Sequence, residues 1–154
     1  MDGLPNELAA LFLLLSARLL TRYMKENKYD DSVFFEKYGV MSRSIGGLES
    51  AGEWPALKSI LPDLANKRVL DLGCGYGWHC RYAVAHNAKT VTGVDISEKM
   101  LLKAKSMTDA HTDAIPPRSS IHYIHASIED IEFKENSFDI IIKQKSSESM
   151  AKCR

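Results

Sequence analysis

The sequence predicts an α/β fold built on a parallel sheet, and three stretches carry that expectation. Lys67-Arg68 lead into a short apolar run, Val69 to Leu72, which only Asp71 interrupts. The run is too short, and too β-branched at its start, for a helix. Three glycines at every second position follow, Gly73, Gly75 and Gly77, then a helix-compatible segment from Trp78 to His86. Thr90 to Asp95 (T-V-T-G-V-D) reads as the next strand. Strand, tight turn, helix and strand in that order make a βαβ unit, whose two strands are parallel.

Glycine serves such a turn twice: it accepts positive φ, and without a Cβ it lets a ligand approach the backbone closely. The first N–H groups of the following helix have no intrahelical partners and favour anionic or polar ligand atoms. Asp95 stands eighteen residues past Gly77. At the tip of the second strand an acid lies beside the glycine turn, where it can accept both hydroxyls of a ribose. A glycine triplet alone is weak evidence, and so is an acid alone, but the two at this separation specify a nucleotide-type ligand. The plain alternative is a structural strand–helix turn with an incidental acid. Dehydrogenases require G-x-G-x-x-G. Here the third glycine comes one residue early and Trp78 fills the position that must be small, which disfavours a nicotinamide-dependent oxidoreductase.

Taken whole, V-L-D-L-G-C-G-Y-G (69–77) with G-V-D-I-S (93–97) resembles the class I S-adenosylmethionine-dependent methyltransferases. The resemblance implies a Rossmann-like sheet with helices on both faces, and S-adenosyl-L-methionine as cofactor. It implies that Gly73, Cys74, Gly75 and Gly77 form the turn beside the methionine part, that Asp71 orients the amino-acid end, and that Asp95 holds the ribose. Ile96 or Met100 would pack against adenine, although a Met at helical spacing also reads as plain core. Ala126 to Asp130 (A-S-I-E-D) resembles the motif that reads the adenine edge. Ser127 stands there in place of the usual Asp, so recognition would shift to the Ile128 backbone and to Glu129.

Ahead of the turn, residues 1–23 form an N-terminal extension expected to be helical, with an apolar run from Leu8 and Asn6 as its cap. The run to Leu20 contains Arg18 and is too short to span a bilayer. Asp2 and Glu7 stand where a secretory signal would be basic. Met24 is a candidate natural start. Residues 24–66 read as a helical cap: Phe34, Phe35, Tyr38 and Met41 recur at helical spacing, Gly46-Gly47 breaks the helix, and Trp54 to Leu61 forms another. The stretch R-S-I-G-G-L-E-S-A-G-E-W (43–54) resembles a bacterial subgroup of the same family. Arg43, Glu53 and Trp54 are candidate cleft-covering residues, with a core Trp54 and solvated charges as the alternative.

Residues 67–142 make the cofactor-binding half-domain. Ser97 caps a helix whose apolar face is Met100, Leu101, Ala104 and Met107. Asp109 to Ser120 is a loop, Ile121 to His125 a third strand, Asn136-Ser137 a turn, and Phe138 to Ile142 a fourth strand. Residues 143–154 are a polar tail without a periodic apolar face. The family's strand order, 3-2-1-4-5-7-6, then leaves the C-terminal strands missing and the fourth strand as an exposed edge. An exposed apolar edge invites self-association.

Composition narrows the partners. Twenty basic and twenty acidic residues cancel, so no overall field gathers nucleic acid or anionic lipid. No Asn-Pro-Pro-aromatic signature follows the fourth strand, where Lys143-Gln144-Lys145 stands. A small-molecule acceptor is therefore expected, with neither nucleic acid nor membrane as partner. Cys74, Cys80 and Cys153 contain no CxxC pair, which favours a reducing, cytoplasmic setting over a disulfide framework. No metal site is expected: His79 and Cys80 are adjacent on a helix and do not face one point. No residue stands out as a catalytic base. Three function classes follow: a methyltransferase or its cofactor-binding portion, a non-catalytic cofactor-binding fragment, and the disfavoured oxidoreductase.

Overall fold

The computed structural model describes residues 27–110 and 121–143. The extension 1–23, the candidate start at Met24, most of the loop before the third strand and the tail from residue 144 lie outside the described residues. A 3-10 turn, Lys28–Asp30, opens the described chain. Three short helices follow: α1 (Ser32–Gly39), α2 (Ser42–Gly46) and α3 (Trp54–Ile60). Then come β1 (Arg68–Leu72), α4 (Trp78–Ala85), β2 (Thr90–Asp95), α5 (Glu98–Ala110), β3 (Ile121–His125) and β4 (Ile140–Lys143).

The four described strands form one sheet in the order β3-β2-β1-β4, with every pair parallel. Both βαβ crossovers step in the same direction, so right-handed connections put α4 and α5 on one face. The core lies there, where Val69 and Val91 meet Cys80, Ala83, Val84 and Leu101. Ile142 faces that core at 5% exposure, whereas Ile141, on the other face, is 61% exposed. The expected second helical layer is thus not among the described residues, and β4 is the open edge of the described sheet.

The first cap helix, expected to run unbroken to Gly46-Gly47, is two helices. Asp31 accepts the Phe34 N–H at 2.9 Å and starts α1. Met41, in extended conformation, separates it from α2. The fourth strand begins two residues later than expected because Asp139 has other work. Its carboxylate takes the Arg68 backbone N–H at 2.8 Å, Nε at 3.1 Å and Nη2 at 2.8 Å. These bonds hold its pKa below the usual carboxylate range, and they fix the register of β4 on β1, with Val69 opposite Ile140.

The faces of α5 give a direct test. Leu101 is buried and its neighbour Leu102 is 59% exposed. Leu101→Ala is expected to cost about 2–5 kcal/mol through lost burial and a residual cavity. Leu102→Ala should stay within about 0.5 kcal/mol. Urea midpoints of the two variants measure the contrast.

Candidate functional site

The three glycines leave β1 with φ of 78°, 52° and 71°, all in the left-handed region. The Gly73 and Cys74 N–H groups both donate to the Val94 carbonyl, at 2.8 and 3.0 Å, which hooks the turn over the end of β2. The Gly75 N–H donates to Oδ2 of Asp95 at 2.8 Å. The Ser97 N–H donates to its Oδ1 at 2.9 Å. Asp95 is therefore clasped between the turn and the start of α5. Burial raises its pKa, opposed by the Ser97 and Gly75 amides, while the charge of Asp30 raises it further.

A Cβ added at each glycine separates their roles. Among the described residues it meets nothing within 4 Å at Gly73, and at Gly75 it touches only the Tyr38 hydroxyl at 4.0 Å. At Gly77 it would run into Tyr123, whose ring carbons lie 3.0 and 3.1 Å away. Gly77 is required by packing, and Gly73 and Gly75 leave an open backbone cradle of the kind a ligand fills. A cavity of about 50 Å³ lies beside this cradle, lined by Tyr38, Arg43, Gly73, Gly75, Tyr76 and His79 among others.

Asp71 does not face that cavity. It is wholly buried under the turn, its Oδ2 accepting the Cys80 thiol at 3.4 Å, with His79 Nδ1 3.9 Å away. Among the described residues its Oδ1 has no hydrogen-bond partner. Burial pushes the Asp71 pKa up to about 7, against the Cys80 hydrogen bond. Burial, aided by the Arg43 charge, pushes His79 down to about 4. At neutral pH His79 is uncharged, so the contact is not a full ion pair.

The adenine-side residues divide. Ile96 is half-buried at the tip of β2. Met100 is 1% exposed and belongs to the packing under α5, the plain alternative for it. The Ala126 N–H donates to the Asp95 carbonyl at 3.0 Å, so the loop carrying Ser127, Ile128 and Glu129 lies next to Asp95. Ile128 is 39% exposed, and Ser127 Oγ accepts the Glu129 N–H at 3.3 Å. Of the cap candidates, Arg43 lines the cavity and pairs with Glu53 at 3.1 Å. Trp54 is core: it is 1% exposed, packs edge-on to Tyr82 at 4.7 Å, and donates Nε1 to Glu49.

Two features escaped the sequence. Asp30 accepts the Ser97 hydroxyl at 2.6 Å and the Lys99 N–H at 3.2 Å, and Asn27 donates to the Ile96 carbonyl at 2.9 Å. These partners are 67 to 69 residues apart, and nothing local signals them. Tyr76 in the turn meets Tyr38 edge-on at 5.4 Å and Phe35 at 6.0 Å. Helical spacing in α1 marked the aromatic face but not what it covers. Among the described residues no cluster of His, Cys, Asp or Glu could hold a metal ion.

A family model described as a methyltransferase domain matches residues 69–152, from the start of β1 into the tail. The chain belongs to the methyltransferase domain family. An S-adenosylmethionine dependent methyltransferase from Mesorhizobium loti superposes with a TM-score of 0.55 at 40% identity, covering 63% of this chain and 41% of its own. A Listeria monocytogenes protein assigned to the same class gives 0.53 at 42% identity, covering 61% and 40%. An uncharacterized protein of Haemophilus influenzae is 36% identical over 118 residues, 76% of this chain and 45% of that protein. This methyltransferase-domain chain thus spans less than half the length of these relatives.

The buried pair under the turn predicts opposed pH dependences. Unfolded, Asp71 titrates near 3.8, and the fold raises it to about 7. The native state therefore binds the extra proton, and this contribution falls as pH rises from about 4 to 7. His79 is lowered from 6.5 to about 4, so its contribution falls as pH drops through that window. Relative to the unsubstituted chain, Asp71→Asn should gain stability with rising pH between these limits, and His79→Gln should lose it. Either slope is at most about 1.4 kcal/mol per pH unit. Urea midpoints against pH read both.

Proposed function

We propose that the chain is the cofactor-binding portion of a class I S-adenosylmethionine-dependent methyltransferase acting on a small-molecule acceptor. The observation that carries this reading is the clasp of Asp95 by the Gly75 amide beside the open cradle of Gly73. The Asp95 oxygens take the Gly75 and Ser97 N–H groups, and the carboxylate's remaining lone pairs would accept ribose hydroxyls. The side-chain-free backbone from Gly73 to Gly75 would lie along the methionine part, with Arg43 on the cavity wall as a counter-charge for its carboxylate. Ile96 and the backbone at Ile128 would border the adenine. Asp71 would act from beneath, by supporting the turn.

Bound there, S-adenosylmethionine supplies a methyl group already activated by the positive sulfur. What this chain's residues contribute is alignment and exclusion of water, for which Tyr38 and Tyr76 form a roof over the turn. No described side chain is assigned as a catalytic base. The balanced charge of the chain and the polar sequence after β4 support a small acceptor over nucleic acid. No helix among the described residues is long and apolar enough to cross a membrane. The edge position of β4 in the described sheet supports self-association as a further proposal. A fragment that binds the cofactor without transferring from it is the less favoured reading, given identities of 40% and 42% to S-adenosylmethionine dependent methyltransferase structures over 63% and 61% of this chain.

Calorimetry should show binding of S-adenosylmethionine and S-adenosylhomocysteine and none of NAD. Asp95→Ala, with unchanged circular dichroism, should weaken S-adenosylhomocysteine at least about tenfold, or about 1.4 kcal/mol. Equal affinity in a folded Asp95→Ala sample would defeat the proposal. Transfer of a labelled methyl group across a panel of small acceptors separates an enzyme from a binding fragment.

A further inference from the structure

Two thiols that the proposed methyl transfer does not use meet under the turn. Cys74 sits between the cradle glycines and lines the cavity beside them. Cys80 is the third residue of α4 and is fully buried. Both sulfurs converge on Gly93 of β2. A Cβ there would stand 2.9 Å from Cys80 Sγ and 3.0 Å from Cys74 Sγ, so a side chain at this position would displace one of them. Both cysteines are free, and Cys80 donates its thiol proton toward Asp71 Oδ2 at 3.4 Å.

We infer that Cys74 and Cys80 are a redox modification site, closing to a disulfide when a peroxide enters the cleft and loosening the hold of the turn on its cofactor. The loss of affinity rests on the cofactor reading above, whereas the disulfide does not. The Cys74 sulfur attacks one peroxide oxygen, the O–O bond breaks, and the products are a Cys74 sulfenic acid and water. The Cys80 sulfur then attacks the Cys74 sulfur, the S–O bond breaks, and the departing hydroxide takes up the Cys80 proton by way of Asp71 Oδ2 to leave as a second water. Two thiols are oxidised and one peroxide is reduced. Hydrogen bonding with Cys74, then burial, holds the Cys80 thiol protonated, and Cys80 is wholly buried where Cys74 keeps 7% exposure in the lining of the cavity, so Cys74 is the first to react. A disulfide needs a defined Cβ separation. Cys74 is bonded through its own N–H to Val94 and adjoins the Gly75 bond to Asp95, so tying its side chain to α4 acts on the contacts that hold the turn.

The test uses the full chain carrying Cys153→Ser, since that cysteine lies outside the described residues. After treatment with hydrogen peroxide, peptide mass analysis should find Cys74 linked to Cys80 with the loss of about 2 Da. Affinity for S-adenosylhomocysteine should fall at least tenfold and return with dithiothreitol. S-adenosylhomocysteine bound beforehand should slow the reaction. Cys80→Ser in the same background should form no cross-link, and peroxide should leave its affinity at that variant's own untreated value. Thiols that both remain alkylatable after treatment and denaturation would overturn the site, and so would a cross-linked chain of unchanged affinity. A reduced chain that binds no S-adenosylhomocysteine would instead count against the cofactor reading, leaving the mass measurement to decide the disulfide.

Discussion

The hydrogen bond from the Gly75 amide to Oδ2 of Asp95 joins the turn after one strand to the tip of the next, and the surrounding structure is arranged to keep it. It forms only if β1 and β2 are parallel and in register, with Leu72 opposite Val94. It also needs a backbone at residue 75 in the left-handed region, where an L side chain is strained. The Val94 carbonyl, taking two amides of the turn, and the Ser97 amide on the other carboxylate oxygen hold the two sides from opposite directions. A charged acceptor bonded by two backbone amides is stronger than a neutral pair and keeps its orientation. A ligand arriving there meets a preformed acceptor.

A second layer of polar contacts fixes the first. Asp30 binds the hydroxyl and the amide at the start of α5, Ser97 and Lys99, and so ties the N-terminal cap to the strand tip. The arrangement places two carboxylates near one another, and Asp30 raises the pKa of Asp95 as a result. The cost is accepted at the place where a ligand's hydroxyl donors would relieve it. The cap contributes its aromatic face as well: Tyr29, Phe34 and Tyr38 pack on one another and Tyr38 reaches Tyr76. The helices ahead of the sheet are therefore part of the site.

The strands and the turn were legible in sequence because period and glycine spacing are local properties. β2 and β3 run as expected, Thr90–Asp95 and Ile121–His125. Asn136, at φ 60°, makes the expected turn before β4. What was not legible depends on partners far along the chain. Phe138 and Asp139 look like strand, yet Asp139 is claimed by Arg68, and the ladder starts after it. The family resemblance made Trp54 and Met100 candidates for the cleft, and burial puts both in the core. Asp71 reads as a ligand residue beside the turn, but strand alternation turns its side chain toward α4. The place of Asp95 beside the glycine turn was legible from their separation, whereas its clasp by the Gly75 amide and the hold of Asp30 on Ser97 required the fold.

The ground under the turn is unusually polar for a core. Asp71, His79, Cys80 and Arg81 are all at most 7% exposed. Arg81 has no carboxylate partner among the described residues: it donates to the Tyr76 carbonyl at 2.6 Å and stacks over Trp78 at 4.4 Å, and burial lowers its pKa. Apolar side chains of similar volume would be expected to cost less here. Arg81 and Cys80, however, reach the residues of the turn, and Asp71 is bonded to Cys80. Arg81 holds the carbonyl of Tyr76 between two glycines, and Cys80 links Asp71 to the thiol of Cys74. A backbone of three left-handed glycines has little packing of its own to define it, and directional bonds from below supply that definition. The polarity of this core is thus the counterpart of the turn's bare surface: the side chains withheld from the ligand side are replaced, as a source of order, by hydrogen bonds on the other.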